Sequence, residues 1–212
     1  AATFEMGVLS GGFDDADWIV RGGTYPYPKD LVTLDGANWI WAGSTKAQPE
    51  TAYFRFKFQP DANKTLENAY VAFTADDYGV AHFNGTQIAD IPNEGDIWRT
   101  GRVIYLTDMI NPNGENIFTA SIVNKQVGDG GLVAKIVLTY TDGTHDIFVT
   151  DETWLASNST NITEDYTSIS YDDSDRNIWK YPNRANENEV VPYGSAPWYS
   201  NVGLPNEAST YS

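Results

Sequence analysis

The chain of 212 residues contains no cysteine. That excludes disulfides, thiolate metal sites and cysteine nucleophiles, and it leaves the compartment open, because extracellular proteins can also lack cysteine. Basic residues are scarce: 13 Lys and Arg stand against 29 Asp and Glu, for a formal net charge of -16. Such a surface repels phosphate backbones and anionic bilayers, so nucleic acid and membrane are not expected partners. No apolar run reaches the 18 residues of a membrane span. The opening "AATFEMG" lacks a basic stretch followed by an apolar one, so a secreted form is expected to have lost its leader already. Only two histidines are present, His82 and His145, far apart in sequence. Neither Gly-x-Ser-x-Gly nor His-Glu-x-x-His occurs, which leaves a Ser-His-Asp or zinc enzyme unsupported. No segment carries a helix-length 3.6-residue period.

What is present is strand periodicity. In "AYFRFKFQ", residues 52–59, Phe54, Phe56 and Phe58 face one way and Tyr53, Arg55 and Lys57 the other, the alternation of a half-buried antiparallel strand. "ENAYVAFTA" is more continuously apolar. "GVAHF" meets Asn84-Gly85, a two-residue hairpin signal, and "TQIAD" returns. Further strands read at "RVIYLT", "NIFTASIVN", "LVAKIVLTYT", "THDIFVT" and "TWLASN", with a hairpin turn at Asp142-Gly143. Eight or more short strands with frequent turn signals predict an all-β fold, an antiparallel β-sandwich or jelly roll, as one domain over residues 1–212. The irregular segments 1–50 and 165–212, rich in aromatics, are expected to pack on it.

Two adjacent carboxylates, Asp76 and Asp77, stand where the strand before "YGVAHFNG" ends. They read either as solvated, turn-capping acids or as hard oxygen ligands, the latter only if the chain bends so that both reach one ion. Trp98, in "GDIWRTG", reads as a loop tryptophan that either stacks on a sugar or folds back on the core, and the neighbouring Arg99 could donate to a sugar or pair with an acid. "YDDSDRNIW" has the Asp173, Asp175, Asn177 spacing of an EF-hand start, but Ile178 replaces the required glycine, so a solvated acidic turn is expected. Sequons occur at Asn63, Asn84, Asn158 and Asn161, against roughly two or three expected by chance.

The order of these signals resembles the galactose-binding-like β-sandwich modules that accompany α-L-rhamnosidases, including the rhamnose-binding carbohydrate-binding modules. The matching pieces are "FEMGVLS" and "DWI", "WIWAG" with "AYFRFKF", "TADDYGVAHFNGTQI", "INPNGENIFTASIVN" and "GGLVAKIVLTYTDGTHDIFVTDETWLAS", from about residue 4 to about residue 200. The resemblance implies a secreted, extracellular, non-catalytic lectin or carbohydrate-binding module for L-rhamnose or a related sugar, with calcium as cofactor. It implies Asp76, Asp77 and Asn124 as calcium ligands, a backbone carbonyl near Asp129 as a further contact, and Trp98, with Arg99, against the sugar. The family commonly carries Asp-Asn where this chain has Asp76-Asp77, and a proline common near position 129 is absent. Two other readings stand beside it: a small glycoside hydrolase or polysaccharide lyase using acids on the sandwich face, and a structural or adhesive surface protein.

Overall fold

The computed structural model of the chain describes residues 28, 30–43, 46, 47, 49–94 and 97–184, without the side chains of 46, 47, 97, 129, 183 and 184. "FEMGVLS", "DWI" and Trp198 lie outside the described residues. The strands are β1 (Ile40–Trp41), β2 (Lys46–Ala47), β3 (Glu50–Phe58), β4 (Leu66–Asp76), β5 (Tyr78–Phe83), β6 (Thr86–Ile91), β7 (Arg102–Tyr105), β8 (Asn116–Asn124), β9 (Gly128–Asp129), β10 (Gly131–Tyr140), β11 (His145–Val149), β12 (Leu155–Ser157) and β13 (Asn183–Arg184).

They form an antiparallel β-sandwich. The larger sheet has the order β13-β1-β10-β4-β7, with β11 also on β10; the smaller has the order β12-β3-β8-β5-β6, and β2 pairs with β9 in a short ribbon. Alternation along each strand sends Phe54, Phe58, Phe83, Phe118 and Ile122 of the smaller sheet against Val71, Phe73, Ile136 and Leu138 of the larger. Trp154 closes this core, its ring stacked 4.8 Å from Phe56 and its Nε1 donating to the Val149 carbonyl at 2.8 Å.

The central strands are covered on both outer faces, which explains their continuous apolar character. On the larger sheet, residues 32–39 lay Val32, Leu34, Ala37 and Trp39 over Tyr70, Ala72, Val133 and Val137. The smaller sheet is covered by residues 163–181. Here the strand alternation misleads: Arg55 points away from the core yet is 1% exposed. It donates from Nε to Asp173 at 3.0 Å and from Nη1 to the carbonyls of Tyr166 and Ser168, and its guanidinium lies 5.0 Å from the Tyr171 ring centroid. Lys57 Nζ joins Asp173 at 3.0 Å. Asp173 is therefore not the solvated turn acid its sequence suggests; it anchors the covering segment. Burial pushes its carboxyl up, but the hydrogen bonds from Lys57 and Arg55 outweigh this and hold it below its ordinary value.

Hairpin chemistry follows the sequence at Asn84-Gly85, where φ is +48° and +80°, the left-handed pair of a tight turn. At Asp142-Gly143 only Gly143 has positive φ, and Asp142 accepts from the Thr144 backbone at 2.9 Å, giving a wider hairpin.

Candidate functional site

Strand β4 belongs to the larger sheet and β5 to the smaller, and one residue separates them. Asp76 ends β4 opposite Gly131, and Asp77 is the residue that crosses between layers; the peptide joining the two is cis. The Asp77 N–H donates to the Val123 carbonyl at 3.1 Å, which ties the crossover to the end of β8. The next residue of β8 is Asn124, 1% exposed. From there the chain passes through β9 to β10, so the two crossovers between sheets meet at this end of the sandwich. The acidic pair thus sits at the seam of the sandwich.

Hydrogen bonding fixes Asp77. Its Oδ2 accepts from the Lys125 backbone at 2.9 Å, while Lys125 Nζ lies 3.8 Å from Oδ1 and donates to Asn93 at 2.8 Å. Two glycines permit the close approach. A Cβ on Gly79 would come within 2.0 Å of the Ser121 carbonyl, so β5 lies against β8 only because that side chain is missing. A Cβ on Gly130 would come within 3.1 Å of both Asn124 and the Trp41 ring, so the chain behind the amide is packed tightly.

The sequence reading missed Glu50. It pairs across from Asn124, and its carboxylate accepts from Trp41 Nε1 at 3.0 Å and Asn158 Nδ2 at 3.0 Å. Cross-strand position could not be read without the β3–β8 register. Asp129 lies in β9 with its backbone paired to Lys46; its side chain is outside the description.

Trp98 is placed differently from a free-standing loop aromatic. It sits in the 3-10 turn Ile97–Arg99, half-buried, packed against the apolar cluster on the outer face of the larger sheet. Arg99 stacks its guanidinium 4.5 Å from the Trp98 ring centroid. The turn stays near the seam, because Thr74, two residues before Asp76 on the same side of β4, donates from Oγ1 to the Thr100 carbonyl at 3.4 Å. The structure thus brings the backbones of Asp76, Asp77 and Asn124 to one end of the sandwich; by strand alternation Asp76 continues the outer face of Tyr70 and Ala72, Asn124 continues the core face of Phe118, Ala120 and Ile122, and Trp98 and Arg99 form a stacked pair on the outer face.

Among the described residues, no three His, Asp or Glu side chains converge on a common ion position. Asp76, Asp77 and Asn124 carry two carboxylates and a carboxamide. Hard oxygen donors of this kind suit calcium or another hard cation, and neither a thiolate nor a histidine stands among them to favour zinc.

No protein-family model and no curated protein matches the sequence. Solved structures do. An α-L-rhamnosidase of Streptomyces avermitilis, complexed with L-rhamnose, aligns with a TM-score of 0.69 and 24% identity over 82% of this chain and 17% of that chain. A lectin from Pleurotus ostreatus, complexed with GalNAc, aligns with a TM-score of 0.62 and 23% identity over 82% of this chain and 47% of that one. A rhamnosidase of Bacillus sp. GL1 aligns with a TM-score of 0.59 and 21% identity over 80% of this chain and 19% of that one. The chain therefore spans about half the lectin and less than a fifth of either rhamnosidase, and what it shares with them is the antiparallel β-sandwich.

Proposed function

We propose that the chain is a non-catalytic carbohydrate-binding protein that takes L-rhamnose or a related neutral sugar at the seam, with calcium held by Asp76, Asp77 and Asn124. What supports this reading is the backbone proximity of Asp76, Asp77 and Asn124 where the sheet crossovers join. Adjacent carboxylates repel each other, and a divalent ion reverses that cost. When bound, calcium supplies coordination positions for two neighbouring sugar hydroxyls. The chain's own residues do the rest. The Lys125 N–H orients Asp77, and the Lys125 ammonium, which leans on the same carboxylate, yields its place to a stronger cation. Asn124 is the last residue of β8. Trp98 offers ring surface and Arg99 a donor, once the guanidinium shifts from the ring.

The fold neighbours support a sugar ligand, since one is described with L-rhamnose and another with GalNAc. The motif resemblance to rhamnosidase-associated modules points the same way. A secreted, extracellular setting fits the acidic surface, and the exposed sequon at Asn161 is available to glycosylation in such a setting. A glycan array probed with calcium and again with chelator tests the reading. Rhamnose-bearing glycans are expected to bind only with calcium. Absence of binding in both arms would favour a structural or adhesive role, and release of new reducing ends or unsaturated products would favour a hydrolase or lyase.

A further inference from the structure

The outer face of the smaller sheet holds a second polar concavity that the seam does not use. Tyr53 on β3 lies opposite Ser121 on β8, and Ser121 lies opposite Val80 on β5, so the three form one cross-strand row. His82 follows on the same face, opposite Thr119. The 3-10 turn Glu164–Thr167 forms the facing wall. Between them lies a cleft of about 430 Å³, within the roughly 300–1,000 Å³ range of small-molecule sites.

Two atoms of this cleft are buried without a hydrogen-bond partner: His82 Nδ1 and Tyr166 Oη. Tyr166 is 5% exposed. Buried polar groups are nearly always satisfied, because each orphan forfeits its hydration. Two orphans lining one cleft point to an absent partner common to both. Burial pushes the His82 imidazole below its ordinary value, so it is neutral at pH 7. Burial pushes the Tyr166 phenol up to about 12, and the Ser121 hydroxyl, near Tyr166 Oη but outside hydrogen-bonding geometry, pulls the other way, so the phenol keeps its proton. The floor is thus an imidazole, a phenol and a hydroxyl, all uncharged. Tyr53 adds an aromatic wall, edge-on to Tyr166 at 5.1 Å. Among the described residues no Lys or Arg lines the cleft, and Glu164 is the carboxylate on its wall. An anionic ligand would meet repulsion without a counter-charge, and a purely apolar one would leave both orphans unpaired.

We propose that this cleft binds a neutral polyhydroxylated ring, a single pyranose unit, with its hydroxyls paired to His82 Nδ1 and Tyr166 Oη and its apolar face toward Tyr53. This site is independent of calcium. It gives the sandwich two sugar contacts, one at the seam and one on a sheet face.

The chain's two histidines make a direct test. His145 is exposed on β11 of the other sheet and serves as the reference signal. In excess chelator, which disables the seam, L-rhamnose and N-acetylgalactosamine are titrated separately while the imidazole resonances are followed by NMR. The expected result is a saturable shift of the His82 signals with at least one sugar, with His145 unmoved. Ser121→Leu, which fills the floor, should weaken the response at least about tenfold, and Val80→Phe closes the cleft from the neighbouring strand should the first variant fold poorly. No movement of His82 with either sugar, equal movement of both histidines, or a response that survives occlusion in a folded variant would overturn the proposal.

Discussion

Strand β8 begins and ends in a buried asparagine, and the two ends of the sandwich that these residues mark are built in opposite ways. Asn116 accepts at Oδ1 from Asn84 Nδ2 at 2.9 Å and from the Asn111 N–H at 2.7 Å. Its Nδ2 donates to the carbonyls of Asn111 at 2.9 Å and Gly114 at 3.1 Å. Asn84 completes the network through the Met109 carbonyl and the Ile117 N–H. Every group is neutral and every partner belongs to the fold. Asn124, by contrast, lies across from Glu50 in the β3–β8 register and next to Lys125, which pairs with Asp77 at 3.8 Å. The same residue type on the same strand therefore closes a turn at one end and lies next to acidic residues at the other. Surrounding charge, rather than burial, separates the structural amide from the candidate ligand.

The comparison breaks most visibly at Asn116. Asn116→Ala removes four hydrogen bonds and strands buried partners, so it should cost about 3 kcal/mol or more of stability in chemical denaturation while calcium affinity in the folded fraction is unchanged. The same network predicts that the Asn84 sequon stays unmodified, because its Nδ2 is spent on Met109 and Asn116; a glycan mapped there by mass spectrometry would contradict it. At the other end, calcium itself should stabilise: at a hundredfold excess over its dissociation constant the gain is about 2.7 kcal/mol, read as a rise in unfolding midpoint that Asp76→Ala abolishes. Trp98→Ala should weaken sugar binding by about 1–3 kcal/mol and leave calcium bound, the range for a large apolar contact. The smallest effect lies away from both ends. Asp173 has its folded value held below its unfolded one by Lys57 and Arg55, so its contribution is complete above the ordinary carboxylate pKa of about 3.9 and drains as pH falls below that. Asp173→Asn should accordingly flatten the acid limb of the stability profile.

Much of the architecture is legible in the sequence because period-2 alternation and the Asn84-Gly85 turn are local. The strand at residues 52–59 and the strand end at Asp76 fall where the pattern puts them. What escapes is long-range. Arg55 alternates outward like any solvent-facing residue, and only the covering segment, with Asp173 118 positions away, makes it a buried hub. Glu50 joins the seam through strand register. Trp98 leaves open from sequence whether it stacks on a sugar or folds back, and the apolar outer face of the larger sheet gives it somewhere to pack. His82 and Tyr166 carry no local sign that they share a cleft. At the seam, the position of the acidic pair is local information, while its company is set by two crossovers.

The central claim is that Asp76 and Asp77 serve a cation that in turn holds a sugar. Isothermal calorimetry of L-rhamnose into the wild-type protein with calcium, the same protein in chelator, and Asp76→Ala with calcium tests it most directly. The account predicts saturable heat at the seam in the first case alone, with calcium heats likewise missing from Asp76→Ala. Full sugar affinity after chelation, or unchanged affinity in Asp76→Ala, would contradict it and leave the two aspartates as ordinary residues of a crossover.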